Sequence, residues 1–420
     1  MKHPALRRAI CLLLAVIMAL TCAGCAADQL YALPQMTDEY VQLEELIAQR
    51  IRSGGEYAAP VSGSNRQTVQ LHDLDGDGTP EAIAFLADSS HTPNVCVYRQ
   101  DGEGNYYLFV AIEGVGSAVD SAEYADLTGN GANELILSWQ IGGDIRLLTV
   151  YTLREEEQTQ LLSTDCVEFT VCDLDGDGVV ELMDLTDDYA SGLVTRYDFS
   201  GGDGDYTQSD ALLSDGVVNV LRMRPGYLTD GSAALFVEST WGEDELITDV
   251  LAAPDGSLEN ITRGATGRSF TLRAGGAFAA DINGDRALEI PDTDGDMLRW
   301  YGISASGERE LALSTYHDYD DGWYLVLPEE LLGASVGKKE LAPGETAVTF
   351  TGEDGGVLLT IYRLTGENRL DRAEEEGRVI LAQDGATVYA AASPAEGGLS
   401  PDGIAERFNL IYQEWQTGAL

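Results

Sequence analysis

From about residue 66 to 300 the chain is a succession of short apolar runs broken by clusters of Gly, Asp, Asn and Ser. Runs at 68–71, 82–85, 95–98 and 106–110 have strand length and are too short for helices. They are continuously apolar and do not strictly alternate, which predicts strands buried on both faces. Comparable runs follow at 134–139, 147–153, 169–172, 182–183, 193–197, 217–223, 234–238, 246–251, 270–272, 278–279 and 298–303. Asp101-Gly102 marks a hairpin. Ahead of this array Tyr40, Leu43, Leu46, Ile47 and Ile51 recur at helical spacing, with Thr37 or Asp38 as cap and Gly54-Gly55 as stop. This helix is expected to dock at a rim of the strand array. Beyond 304 the rhythm is lost. Strands are predicted at 323–327, 347–350, 358–362, 379–382 and 388–391, the last pair joined at Asp384-Gly385. A helix is predicted from Ser400-Pro401, with Ile404, Phe408, Ile411, Tyr412 and Trp415 as its apolar stripe.

The polar segments between strands are not random. Asp73-Leu74-Asp75-Gly76-Asp77-Gly78-Thr79-Pro80-Glu81 places acids at positions one, three, five and nine and a glycine at six. Residues 173–181 repeat it with Asp173, Asp175, Asp177, Gly178, Val179 and Glu181. Residues 126–134 are a softened copy, with Asp126, Thr128, Asn130, Ala132 and Glu134. Residues 281–289 carry Asp281, Asn283, Asp285, Ala287 and Glu289, with Arg286 where the glycine should be. Residues 227–232 keep a turn but have lost the acids at one, three and nine. Aligned on position six, the loops begin at 73, 126, 173, 226 and 281, in steps of 53, 47, 53 and 55. A period near 50 with several strands per unit belongs to propeller blades or a related β array. Hard cations such as Ca²⁺ take six to eight oxygens, which acids at alternate positions of a curled loop supply, together with the carbonyl at position seven. Position twelve, the closing Glu of a helical EF-hand, is Ala84 here, inside an apolar run. The loop therefore opens into a strand.

These loops resemble the calcium-binding repeats of integrin α-chain propellers and of bacterial proteins with FG-GAP or VCBS-type repeats. The match is full at 73–81 and 173–181 and reduced at 126–134 and 281–289. The resemblance implies a mainly β fold, a propeller of about five blades over 61–303, and Ca²⁺ held by the residues named above, with Thr79, Ala132, Val179 and Ala287 contributing main-chain oxygens. A small α+β domain is expected over 304–420, one helix laid on a meander. The implied role of the metal is structural: clustered like charges repel until a cation offsets them.

Composition narrows the partners. With 71 acids against 25 bases and a net charge of −46, the chain lacks the basic face that nucleic acid requires. Residues 1–25 have a basic start (Lys2, Arg7, Arg8) and an apolar run at 9–20 too short to span a bilayer. The run ends in Leu-Thr-Cys-Ala-Gly-Cys, which resembles a bacterial lipobox despite Cys22 at the position where Leu is usual. That implies lipidation at Cys25, a tether and helix over 26–60, and a place on the outer face of the cell membrane. The mature charge becomes −46 − 3 = −49, so anionic lipid offers no electrostatic help.

Cys96, Cys166 and Cys172 are odd in number and are read as buried thiols, with Cys166 and Cys172 in one strand. The four histidines, His3, His72, His91 and His317, form no metal pair and no triad. No phosphate loop or dinucleotide motif is present. The leading expectation is a non-enzymatic surface binding or scaffold protein for a protein or glycan ligand. The alternative is a surface glycan hydrolase or glycan-binding accessory protein, with Trp139 or Trp241 stacking on sugar.

Overall fold

The computed structural model describes residues 38–412 apart from 144, 155–156, 189–190, 202–203, 243–244, 275–276, 376 and 395–398. The export segment, Cys25 and Trp415 lie outside the described residues. Among the described residues no helix is long and apolar enough to cross a membrane.

The fold is mainly β, built of antiparallel sheets that follow one another along the chain. The first sheet holds Val69–His72, Glu81–Ala87, Pro93–Gln100 and Tyr106–Glu113, with Glu56–Tyr57 at its edge. The second runs from Ala118–Ala125 to Glu157–Cys166, and the third from Glu168–Cys172 to Thr207–Leu212. The fourth is centred on Val217–Tyr227, Ala233–Trp241 and Glu245–Ala252, and the fifth on Ile290–Asp294, Met297–Ile303, Arg309–Asp318 and Trp323–Val326. The sixth spans Ser335–Ala342 to Thr387–Ala392.

Burial explains the apolar runs. All seven residues of Glu81–Ala87 are buried. Ile83, Phe85, Val95 and Val97 face the second sheet, where they meet Val119, Leu135, Leu137 and Trp139. Ala82, Ala84, Leu86, Cys96 and Tyr98 face the other way, onto Leu43 and Ile47 of the helix Asp38–Arg52. The same two-sided arrangement joins the second sheet to the third, the third to the fourth, the fourth to the fifth and the fifth to the sixth. The outer face of the sixth sheet, with Leu364, Val388 and Ala390, is covered by Ala373 of the short helix Arg369–Ala373. Both outermost faces are thus covered by a helix. Among the described residues no buried cluster joins the first sheet to the sixth.

Several expectations change. Among the described residues six sheets are present where about five blades were expected. The expected break at 304 falls in the turn between two paired strands, Met297–Ile303 and Arg309–Asp318. Residues 270–272 and 278–279 are not strands; Arg273–Ala274 instead pairs with Glu245 and Leu246 on the fourth sheet. Cys166 and Cys172 end strands of two different sheets. The N-terminal helix lies on a sheet face, not at a rim. The last helix begins as expected, Ser400 Oγ accepting from Gly403 N at 3.1 Å, but ends at Ala405. Gly403 weakens it, and the open edge of Trp323–Val326 captures Phe408–Leu410 as a strand. Phe408 still reaches the core beside Trp323, at 5.4 Å between rings, while Tyr412 is exposed.

Candidate metal centres

The loops at 126 and 173 are hairpin turns between the first two strands of their sheets, the loop at 73 joins Val69–His72 to Glu81–Ala87, and the loop at 281 is closed by the single bridge Ala280–Glu289 ahead of Ile290–Asp294. The residue before position one pairs with position nine in all four cases: His72 with Glu81, Ala125 with Glu134, Cys172 with Glu181 and Ala280 with Glu289. Position two anchors the turn. Leu74, Leu127, Leu174 and Ile282 are buried, each contributing on the order of 2 kcal/mol.

Position one organises the curl. Asp73 Oδ1 accepts from Gly76 N at 2.8 Å and Oδ2 from Gly78 N at 2.9 Å. Asp173 makes the same pair at 2.7 and 3.0 Å. Asp126 accepts from Asn130 N and Gly131 N, and Asp281 from Gly284, Asp285 and Arg286 N. Position five caps the N–H of position seven, as Asp77 does for Thr79, Asp177 for Val179, Asn130 for Ala132 and Asp285 for Ala287. Gly78 and Gly178 take positive φ of 86° and 93°, where a Cβ is strained. Arg286 adopts φ 83° all the same. Its guanidinium lies over the Tyr227 ring, 4.8 Å from the centroid.

Position nine is a buried carboxylate in every loop. Glu81, Glu134, Glu181 and Glu289 each accept from the position-two N–H, at 2.6, 2.9, 2.8 and 3.1 Å. Burial pushes all four carboxyls up, Glu81 and Glu289 to about 7.

An arginine completes three of the four sites. Arg99 Nη2 stands 3.3 Å from Asp75 and Nε 3.6 Å from Glu81, its guanidinium against the Phe109 ring. Arg196, almost fully buried, pairs with Asp175 and Glu181 and lies 3.4 Å from Asp198. Arg154 donates to Thr128 Oγ1 at 2.8 Å and stands 3.7 Å from Glu134. In the loop at 281 the Asn283 amide takes that part, donating to Asp285 at 2.9 Å and Glu289 at 3.1 Å. The sequence reading missed these arginines. Arg99, Arg154 and Arg196 follow position nine by 18, 20 and 15 residues, a recurrence visible in a chain with only 25 bases.

The fit to a hard cation differs among the loops. Asp73, Asp75 and Glu81 offer oxygens within 4.8 Å of one another, and so do Asp173, Asp175 and Asp177. That donor set and spacing suit a divalent ion such as Ca²⁺. Asp77 and Glu181 stand outside these triplets. Asp126 and Glu134 are the only acids of their set, and Asp281, Asp285 and Glu289 do not converge in this way. The loops at 73, 126 and 173 also touch. A Cβ on Gly76 would lie 3.1 Å from Gly131 O, and one on Gly129 would lie 2.8 Å from Val179. Asn133 Nδ2 donates to Asp73 O at 3.0 Å. At 228–232 the turn is shorter, Tyr227 pairing with Ala233, and a cavity of about 580 Å³ opens there beside Asp173 and Asp175.

Other candidates fall to the core. Trp139 is buried, its Nε1 donating to Thr149 Oγ1 at 2.8 Å. Trp241 is half-buried, donates to Asp215 O and is overlain by Arg268. His72 stacks on Tyr124 at 3.6 Å, and burial lowers its pKa. Burial pushes the thiols of Cys96, Cys166 and Cys172 up, Cys172 to about 12, so they stay protonated.

No protein-family model matches the chain. No curated protein matches it either. Among solved structures it is similar to Sqt1 from Chaetomium thermophilum, with a TM-score of 0.33 and 9% identity over 78% of this chain and 96% of that one. It is also similar to the AfRom2 CNH domain, with a TM-score of 0.27 and 9% identity over 81% and 99%. Likenesses this low carry no argument about function.

Proposed function

We propose that this chain is an exported protein, lipidated at Cys25, whose propeller-like array of six sheets binds Ca²⁺ at the loops of 73–81 and 173–181 and acts outside the cell membrane as a non-enzymatic binding or scaffold protein. The observation that carries the calcium reading is the convergence of Asp73, Asp75 and Glu81 within 4.8 Å, matched by Asp173, Asp175 and Asp177. When bound, the cation supplies positive charge to a turn that otherwise gathers like charges.

The chain's own residues do the rest. Asp73 and Asp173 hold the turn closed through main-chain N–H groups and keep oxygen lone pairs free for the ion. Glu81 and Glu181 tie the turn to the buried strand behind it. Arg99 and Arg196 already neutralise part of each site, so the loops fold without metal and the ion competes with a guanidinium. Affinity is accordingly lower than the count of acids suggests, which suits the calcium levels found outside cells.

Calorimetric titration of the chelated protein with CaCl₂ tests this reading. Two saturable equivalents and a higher melting temperature in calcium are expected. No heat beyond non-specific screening, with identical melts in calcium and chelator, would overturn it. Processing is tested separately: mass spectrometry of the membrane-bound protein should find an acylated Cys25 as the first residue.

A further inference from the structure

Away from the acidic loops, towards the opposite end of the same strands, a cavity of about 410 Å³ lies between the second and third sheets. Its size is that of a small-ligand pocket. Asp120 and Glu123 come from Ala118–Ala125, Ser138 from Glu134–Gly142, Arg146 from Ile145–Arg154, and Glu168 and Phe169 from Glu168–Cys172.

The charges in it do not balance. Arg146 Nε is 2.9 Å from Asp120 Oδ2, and Asp120 also accepts from Gln140 Nε2 at 2.9 Å and Ser62 Oγ at 3.0 Å. That pair is complete and neutral. Glu123 meets only neutral donors, Ser64 Oγ and Asn65 Nδ2, both at 3.2 Å. Among the described residues neither Glu123 nor Glu168 has an ion pair within 4.0 Å. Glu123 is half-buried and Glu168 is exposed at the edge of the cavity; desolvation pushes both carboxyls up, and at Glu168 the charge of Arg146 works against it. Ser138 is fully buried, lines the cavity, and its Oγ has no hydrogen-bond partner. A buried hydroxyl without a partner is uncommon in a native fold and marks a place where a polar group belongs.

The acids here are not among the groups close enough to share a single metal ion. Three carboxylates against one guanidinium line the cavity, which disfavours an anion, and a neutral polyol would leave the half-buried Glu123 without a counter-charge. We propose that this cavity binds an organic cation through an ammonium or guanidinium head, with Glu123 and Glu168 as counter-charges and Ser138 Oγ as acceptor. Phe169 offers an apolar wall to the cation's alkyl stem. The head arrives either on a free amine or on a basic side chain of a partner. The net charge of −46 draws both towards the molecule.

Calorimetry at 0.15 M NaCl tests this, with 1,5-diaminopentane and the blocked peptide acetyl-Gly-Lys-Gly-amide as probes and 1,5-pentanediol as the neutral control. The expected result is one saturable equivalent for at least one cationic probe and none for the diol. The double variant Glu123→Gln/Glu168→Gln should bind at least ten-fold more weakly, and Glu259→Gln, an exposed acid on the fourth sheet, should match the wild type. Binding of the diamine points to a free amine, and binding of the peptide points to a partner's side chain. Equal binding by wild type and double variant, binding of the diol, or no saturable binding at millimolar probe overturns the proposal. Should the double variant fail to fold, Ser138→Val, which fills the floor of the cavity and removes the acceptor, should give the same loss. Titrations in saturating calcium and in chelator keep this outcome separate from that of the metal loops.

Discussion

The loops at 173 and 281 share a hairpin register, a buried closing glutamate and a position-one aspartate that gathers main-chain N–H groups. They differ in how the buried acids are neutralised. At 173 three carboxylates converge and Arg196 reaches in from the next strand. At 281 the Asn283 amide bridges Asp285 and Glu289, and the one nearby base on the loop, Arg286, stacks on Tyr227 instead. One turn gathers three carboxylates beside a single guanidinium. The other completes itself with neutral donors. Under the proposed calcium reading the acid count would overstate the number of metal sites, because the 281 loop shares the shape of the turn without the convergent carboxylates.

The largest test of this contrast is Arg196→Met. It leaves the buried Glu181, with Asp175 beside it, without a counter-charge, and should cost about 4 kcal/mol in chelator. Urea unfolding measures it, and calcium should restore part of the loss because the acids regain a positive neighbour. Equal losses with and without calcium would separate the arginine from the metal site.

A second test uses Asp184, three residues after Glu181 on the same strand. It has neither arginine nor loop, only the neutral side chains of Cys166 and Thr164 beside it, and burial pushes its carboxyl up to about 7. The folded protein holds this proton more tightly than the unfolded chain, whose pKa is about 4. Stability from this group is therefore present at low pH and lost as pH rises from about 4 to about 7. In saturating calcium, Asp184→Asn should gain about 3 kcal/mol on wild type between pH 5 and pH 8. Parallel pH profiles for the two proteins would refute the assignment.

Asp173→Ala removes two main-chain caps and a ligand together. It should cost about 2 kcal/mol in chelator and more in calcium, and titration should find one calcium equivalent fewer. The smallest effect is expected at 281. Arg286→Gly relieves the positive φ and should stabilise by about 1 kcal/mol. Combined with Asn283→Asp it should create a further calcium equivalent, read by the same titration; no new equivalent would show that more than the ligand set has been lost there.

The loops were legible in the sequence because each acid sits at a fixed offset from a glycine and an apolar run, so local spacing carries the geometry. The helix Asp38–Arg52 was legible for the same reason. What escaped depends on distance along the chain. Arg99 and Arg196 reach their loops from another strand; their recurrence after position nine is visible in the sequence, but only the fold shows which acids they meet. The sixth sheet went unrecognised as a continuation of the array because its hairpins turn at Gly344, Gly355 and Gly385 without the acidic motif. Phe408 was read as part of a helical stripe because a short apolar segment fits either period. The free edge at Trp323–Leu325 decided for a strand. The unpartnered Ser138 lies in an apolar run whose pattern gives no hint of a cavity.

The helices covering the first and sixth sheets have a consequence for how such a molecule can change over time. A helix over an outermost face leaves no apolar surface there for a further sheet, so change in such an array falls on the turns inside it. The shortened turn at 228–232, without acids at positions one, three and nine and bordering a cavity of about 580 Å³, is where one unit departs furthest from its neighbours.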